Sequence, residues 1–229
     1  MTIGATLRRL RSSFGKSAGT VVFGMEDGTV SIFGLIFGVA ATTTDAKTVL
    51  IAGASGAAAA AVSMMAGAYL DVETTRDEIN AAHSSVQTAT NSVTYLKSRL
   101  AEAGLTRTQS EALASAVHTD PNATSGLLLA LQGAPDAPLN PIEQALWMLV
   151  ADFLAAAVPI LPFVFLPVLQ ARIVSGAVTL ALLIALGIGR AQIAKRSIFR
   201  TVIETVSIGV AAALAGVAIG VLVDRLFTH

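Results

Sequence analysis

Met25–Asp71, MEDGTVSIFGLIFGVAATTTDAKTVLIAGASGAAAAAVSMMAGAYLD, holds two apolar, small-residue-rich segments joined by the short polar link Thr42–Lys47. Each segment is long enough to cross a bilayer, and in hydrocarbon a backbone must satisfy its own hydrogen bonds, so each is expected to be a helix. The segments also carry groups that a plain anchor does not need. The first opens on Glu26, Asp27 and Gly28, and the second ends on Ser63, Met64, Met65, Tyr69 and Asp71. Ionisable groups at membrane depth are expensive and mark functional sites. Composition supports the membrane reading, with 54% hydrophobic and 13% charged residues in 229 and a mean hydropathy of +0.70.

Three further apolar segments follow, giving five spans at about 20–41, 48–70, 147–169, 173–188 and 202–223. In the first, Thr20, Gly24, Asp27, Ser31, Gly34 and Gly38 recur at helical spacing as one stripe of short side chains. That stripe reads either as a packing seam with an Asp near the interface or as a polar path between helices. Gly34 and Gly38, and Gly216 and Gly220 in the fifth span, have the GxxxG spacing that lets helix backbones approach closely. The Ala- and Gly-rich second span buries little side-chain volume and is expected to be packed among neighbours. Pro159, Pro162 and Pro167 kink or break the third.

The polar region 71–146 reads as short helices: Ser84–Ala103 ended by Gly104, a capping box at Thr108–Glu111 opening a helix to Val117, and a Leu-rich helix from Asp120-Pro121 to Gly133. The link Ala134–Pro141 returns the chain to the membrane. The fold class is therefore an all-α membrane protein, with five transmembrane helices and a small helical cytoplasmic domain between the second and third. The parts are 1–70 (N-terminal arm and first two spans), 71–146 (cytoplasmic domain) and 147–229 (last three spans).

Orientation follows from the basic residues. Arg8, Arg9, Arg11 and Lys16 precede the first span, and Arg190, Lys195, Arg196 and Arg200 lie between the fourth and fifth. Only Lys47 and Arg172 occupy the opposite links. The N-terminus, the 71–146 region and the 190–200 link are thus expected inside, and His229 outside.

The residues exclude several function classes. Without cysteine there is no disulfide, thiolate metal site or thiol chemistry. Lys+Arg and Asp+Glu balance at 15 each, with no basic patch interleaved with aromatics, so nucleic acid is not a partner. His83, His118 and His229 are scattered, no nucleophile–base set is present, and no phosphate-binding GxxxxGK[ST] loop exists. The chain is not expected to be an enzyme or to carry a cofactor. Asp27, Met64 and the helix-breaking prolines suit a secondary transporter or channel. Met64 is gap filler in one reading and a soft metal ligand in the other. Glu73, Asp77 and Glu78 form a possible metal cluster or, in the blander reading, a solvated helix face.

Three runs carry a family resemblance: DGTVSIFGLIFGVA (Asp27–Ala40), VLIAGASGAAAAAVSMMAGAYL (Val49–Leu70) and NPIEQAL with AAAVPILPF (within Asn140–Phe163). Together they resemble the vacuolar iron transporter family, which includes nodulin-like and bacterial homologues, across all five spans in order. The resemblance implies a homodimer in the lipid bilayer, exporting Fe²⁺ or Mn²⁺ from the cytosol by proton antiport. Its path would pass Asp27, Ser31, Ser63 and Met64 between the two first helices. Asp27 and Met64 take the places of the family's pore ligands, and a two-fold axis doubles them to four. The membrane implied is the plasma membrane in a prokaryote and the vacuolar membrane in a eukaryote. The chain departs from the pattern at Gly56 or a neighbour, where members that follow the plant iron transporters carry Glu in the middle of span two, and at Ala68, another frequent Glu position. Its 71–146 insert is also poor in Glu. A divergent member with altered or lost metal transport, acting as a scaffold or carrying another cation, is the alternative.

Overall fold

Runs of Ala, Gly, Val, Ile and Leu longer than twenty residues have one economical way to close their backbone hydrogen bonds, and the chain takes it throughout. The computed structural model describes residues 15, 17–89, 93–117, 120–131 and 140–227. These form α1 (Ala18–Thr42), α2 (Ala46–Ala89), α3 (Val93–Glu102), α4 (Arg107–Val117), α5 (Pro121–Leu131), α6 (Pro141–Ile160), α7 (Pro162–Phe165), α8 (Val168–Ile193) and α9 (Ile198–Phe227). No strand occurs among the described residues. Five helices are long and apolar enough to cross a membrane: α1, the Ala46–Glu78 part of α2, α6, α8 and α9. The basic N-terminal arm, Gly133, most of the Ala134–Pro141 link, His118 and His229 lie outside the described residues.

The chain forms two compact units, Met1–Tyr69 with Ile142–His229, and Leu70–Pro141. In the first, the inner cluster draws Ile32, Ile36 and Ala40 from α1, Val49 and Ala57 from α2, Ala156 from α6, Phe163 from α7, and Val168 and Ala171 from α8. Hydrocarbon is as apolar as these side chains, so close packing, not water exclusion, holds such helices together. Glycine supplies the closeness. A Cβ on Gly38 would stand 2.6 Å from the Gly216 carbonyl oxygen, and one on Gly220 would stand 2.5 Å from the Gly38 oxygen. Gly34 faces the Ala212 oxygen, and Gly216 faces the Gly34 oxygen. The α1 and α9 backbones therefore interleave carbonyl to α-carbon, and the rising register shows that they run parallel.

The expected single stripe on α1 divides between two neighbours. Gly34 and Gly38 pack on α9, whereas Gly24 and Gly28 pack on α6, against Met148 and Asp152. Ser31 is exposed. The α1–α2 hairpin is antiparallel, with Gly53 against Ile36 and Gly56 against Ile32 and Leu35. Within the protomer α2 is not enclosed as its composition suggests, because Ala58, Ala59, Ser63, Ala66 and Gly67 are exposed.

The prolines act between spans. α6 begins at Pro141, not at Trp147, since proline suits a helix's first turn. It runs through Pro159 to Ile160, and the break falls at Leu161–Pro167, leaving only the short α7 before α8. There the Ser175 hydroxyl donates to the Pro159 carbonyl at 2.7 Å, satisfying a buried acceptor that the interrupted helix leaves open.

The Leu70–Pro141 unit has a core of its own, made by Leu96 and Leu100 of α3, Ala114 of α4 and Leu128 of α5. Each fully buried Leu contributes about 1.5–3 kcal/mol. α3 ends at Gly104, at φ 91°, with the Leu105 N–H reaching the Leu100 carbonyl at 3.1 Å. The capping box is Thr106 with Gln109, two residues before the expected one. The Gln109 side-chain oxygen accepts from the Thr106 N–H at 2.9 Å, and Glu111 pairs instead with Arg107 at 3.2 Å. Of the expected helix Ser84–Ala103, residues 84–89 belong to α2 and Val93–Glu102 forms α3, with 90–92 outside the described residues.

The glycine seam predicts opposite outcomes at two positions. Gly38→Ala is expected to destabilise by about 1–3 kcal/mol, because the atom it meets is backbone. Gly67→Ala, with nothing within 4 Å, is expected to be neutral or to gain up to about 1 kcal/mol from helix propensity. Thermal unfolding in detergent distinguishes them, and equal shifts would refute the seam. A second expectation concerns Asp45, which caps α2 through the Thr48 hydroxyl at 2.6 Å and the Lys47 N–H at 3.1 Å. The Thr48 hydroxyl first, and then the Lys47 N–H, hold its carboxyl below the ordinary value of 3.8. A lowered folded value means the cap contributes fully above that ordinary value and is lost as pH falls through the lowered one. Asp45→Ala should therefore lower the melting temperature at pH 7, and the gap should narrow as the pH is taken below the ordinary value of 3.8.

Candidate functional site

The site is built on the first half of α1, where the glycines that bring α6 and α9 close also place acidic side chains between helices. α1 and α6 run parallel in a regular register. The Gln144 side-chain amide donates to the Thr20 hydroxyl at 3.1 Å, Gly24 faces Met148, and Gly28 faces Asp152. On another side α1, α8 and α9 enclose a cleft of about 440 Å³, whose polar lining includes Glu26, Asp27, Arg190 and Thr205 and whose apolar lining includes Phe23 and Ile208. At about 1.5 Å per residue, Asp27 lies roughly 14 Å along α1 from Ala18.

Glu26 is fully engaged. Its side chain is 12% exposed, and Arg190 from the last turn of α8 pairs with it at 3.4 Å. The Thr205 hydroxyl of α9 donates to its other oxygen at 2.8 Å. One carboxylate thus ties three helices together, and its charge is met by the arginine, so it is not a free ligand. Asp27, its neighbour in sequence, is half-buried and lines the same cleft.

Asp152 on α6 is fully buried, at 0% exposure. Neither of its carboxylate oxygens has a hydrogen-bond partner among the described residues. It packs against Gly28, the residue that follows Asp27 on α1. Reading the third span from Trp147 puts this residue near the membrane surface; the true start at Pro141 moves it about 17 Å into the helix. The sequence signal was present as an acidic residue within an apolar run, and the misplaced boundary hid its depth.

The other residues singled out from sequence are placed as follows. Ser31 is exposed, and its hydroxyl donates to the Asp27 carbonyl oxygen at 2.7 Å. Met64 is half-buried and Ser63 exposed on α2. Extending the hairpin register from Gly56 opposite Leu35 by two turns on each arm of the hairpin brings Met64 to the level of Asp27. The shared level is not a shared cleft, since neither Met64 nor Ser63 lines it. In the Leu70–Pro141 unit Glu73 pairs with Arg76 at 3.2 Å, and Asp77 and Glu78 are exposed. Among the described residues no three His, Cys, Asp or Glu side chains are gathered as a metal site.

Carboxylate oxygens are hard donors suited to divalent cations, which take six or more ligands in the case of the hard ions.

The family model described as the VIT family matches residues 18–221, which reaches into all five long apolar helices. The chain is similar to a vacuolar iron transporter of Centaurea cyanus, 24% identical over 210 residues that cover 88% of this chain and 85% of the relative. It is likewise similar to vacuolar iron transporter 1 of Eucalyptus grandis, at 24% identity over 85% of this chain and 82% of the relative. Vacuolar iron transporter 1 of Arabidopsis thaliana is 24% identical over 90% of this chain and 85% of its own length.

The tie at Glu26 sets an expected outcome. Glu26→Ala leaves the Arg190 guanidinium and the Thr205 hydroxyl without their acceptor, and should cost about 1.5–3 kcal/mol. A double-mutant cycle with Arg190→Ala, read by thermal unfolding in nanodiscs, should return a coupling energy clearly above zero; strict additivity would show the pair to be idle.

Proposed function

The chain belongs to the VIT family, and from that premise we propose that it is a secondary transporter exporting a divalent transition metal, Fe²⁺ or Mn²⁺, from the cytosol in exchange for protons. The observation that carries the reading is the half-buried Asp27 carboxylate on a membrane-crossing helix, lining a cleft beside a second acidic residue whose charge is already met. A group so costly at that depth is retained for what it binds.

Orientation in this proposal follows the basic residues. Arg190, Lys195, Arg196 and Arg200 lie at the α8–α9 turn, the cytosolic side by the excess of positive charge. The N-terminus and the Leu70–Pro141 unit belong to the same side. A homodimer completes the path. α1 leaves Phe23, Ser31 and Leu35 exposed, and α2 leaves its small-residue face uncovered, so a second copy has two adjoining surfaces to occupy. Asp27 and Met64, at one level on α1 and α2, then serve twice each, the carboxylate supplying hard and the thioether soft ligand character. Ser31 and Ser63 line the route. The host membrane is vacuolar if the source is eukaryotic and the plasma membrane if it is prokaryotic.

A second reading, a family member whose metal transport is altered or lost and which acts as a scaffold or carries another cation, is favoured by one observation. No three-ligand cluster forms among the described residues, Glu73, Asp77 and Glu78 included.

Flux separates the two. In proteoliposomes holding a metal-sensitive dye, with an inward- or outward-directed pH gradient, wild-type protein should move Fe²⁺ or Mn²⁺ and dissipate the proton gradient. Asp27→Ala should reduce metal flux to that of empty liposomes. Flux unchanged in that variant would remove Asp27 from the path, and no flux in the wild type would favour the second reading.

A further inference from the structure

Asp152 is left unexplained by a path built on Asp27 and Met64. Elsewhere this fold provides for its polar groups at depth: Ser175 donates to the Pro159 carbonyl, and Glu26 receives both Arg190 and Thr205. Two groups of the membrane unit go without a partner among the described residues, the Thr179 hydroxyl and Asp152, and Asp152 is the one acid, at 0% exposure with both oxygens unpartnered. An ionised carboxylate in that condition is strongly disfavoured, and the residue packed against it, Gly28, is the sequence neighbour of Asp27.

The space around it is nevertheless made to measure. The oxygen Oδ1 would lie 2.8 Å from a Cβ on Gly28, so only glycine at that position lets the carboxylate lie against α1 beside Asp27. Packing that sets a buried acid against the residue next to Asp27 and leaves it wholly unpaired suits a group completed by something outside the chain. A structural acid would have been given a donor. A carboxylate with both oxygens free is a donor set for a cation, and a hard divalent ion is the class that carboxylate pairs hold best.

We propose that Asp152 is a direct ligand of the transported divalent cation, acting with Asp27 as the second carboxylate of the site. The proposal rests on the transport function above and adds to it a binding residue on α6. Cation binding then draws α1 and α6 together across the Gly28 contact.

The test uses the full chain in lipid nanodiscs, with Mn²⁺ as the probe. Binding is read from the paramagnetic resonance of free Mn²⁺, and stability from thermal unfolding with and without the ion. Wild type should bind Mn²⁺ and melt higher in its presence. Asp152→Asn, nearly isosteric and uncharged, should melt at or above the wild-type temperature without metal, lose at least about tenfold in Mn²⁺ affinity, and lose the metal-dependent rise in melting. Asp152→Ser reads the same quantities if the Asn variant cannot be purified. Wild-type affinity in the Asp152 variants, alongside loss of binding in Asp27→Ala, would overturn the proposal while leaving the transport reading intact. A loss of melting temperature with affinity preserved would also overturn it, as a purely structural acid behaves that way. Absence of Mn²⁺ binding in the wild type would overturn this proposal together with the reading it extends.

Discussion

Backbone-to-backbone contact along α1 is the constraint on which the helical unit in the membrane depends. Helices in hydrocarbon gain nothing from excluding water, so their association comes from dispersion, which falls steeply with distance. Gly34, Gly38, Gly216 and Gly220 bring the α1 and α9 backbones into direct contact, and Cα–H to carbonyl contacts become available along the seam. The same helix uses Gly24 and Gly28 against α6. With two parallel neighbours fixed by small residues, the polar positions between the glycines have no freedom to choose their surroundings. Glu26 and Asp27 face the cleft because Gly24, Gly28, Gly34 and Gly38 are spoken for.

Two acidic side chains in this unit are handled in contrasting ways. Glu26 is neutralised by Arg190 and bound by Thr205, which makes it part of the scaffold. Asp152 is enclosed and unpaired. Glu26 and Asp27 are adjacent and of one chemistry, and in the sequence only the stripe of short side chains and the family resemblance single out Asp27. The rotation of roughly 100° between successive helical residues separates their fates: one side chain meets the arginine at the end of α8, the other lines the cleft without that partner.

Local pattern carried most of the architecture. Five apolar runs, two GxxxG pairs, the proline-rich interruption and the Gly104 stop are each decided within a few residues, and each is present in the structure. What sequence could not decide is tertiary. The segment around Thr106 offers two overlapping capping boxes, Thr106 with Gln109 and Thr108 with Glu111, and only packing chooses the first. The Glu26–Arg190 pair joins residues far apart in the chain, with no local signature at either end. The stripe on α1 is visible as a stripe, yet nothing in its spacing tells that it serves two different neighbours. Met64 and Asp27 can be set at one level from hairpin length alone; whether their side chains meet depends on rotation about each helix axis, which an Ala- and Gly-rich face leaves unspecified.

The cleft has walls of unequal stiffness. On the α9 side α1 is held by interlocked glycines, and sliding by less than a full turn, about 5.4 Å, would drive carbonyls into α-carbons. On the α8 side the contacts are made by long side chains, Phe37 over Gly176 and Arg190 on Glu26, which can follow a moving partner by changing rotamer. The wall where α1 meets α9 is therefore the rigid one, and the contact between α1 and α8 the compliant one.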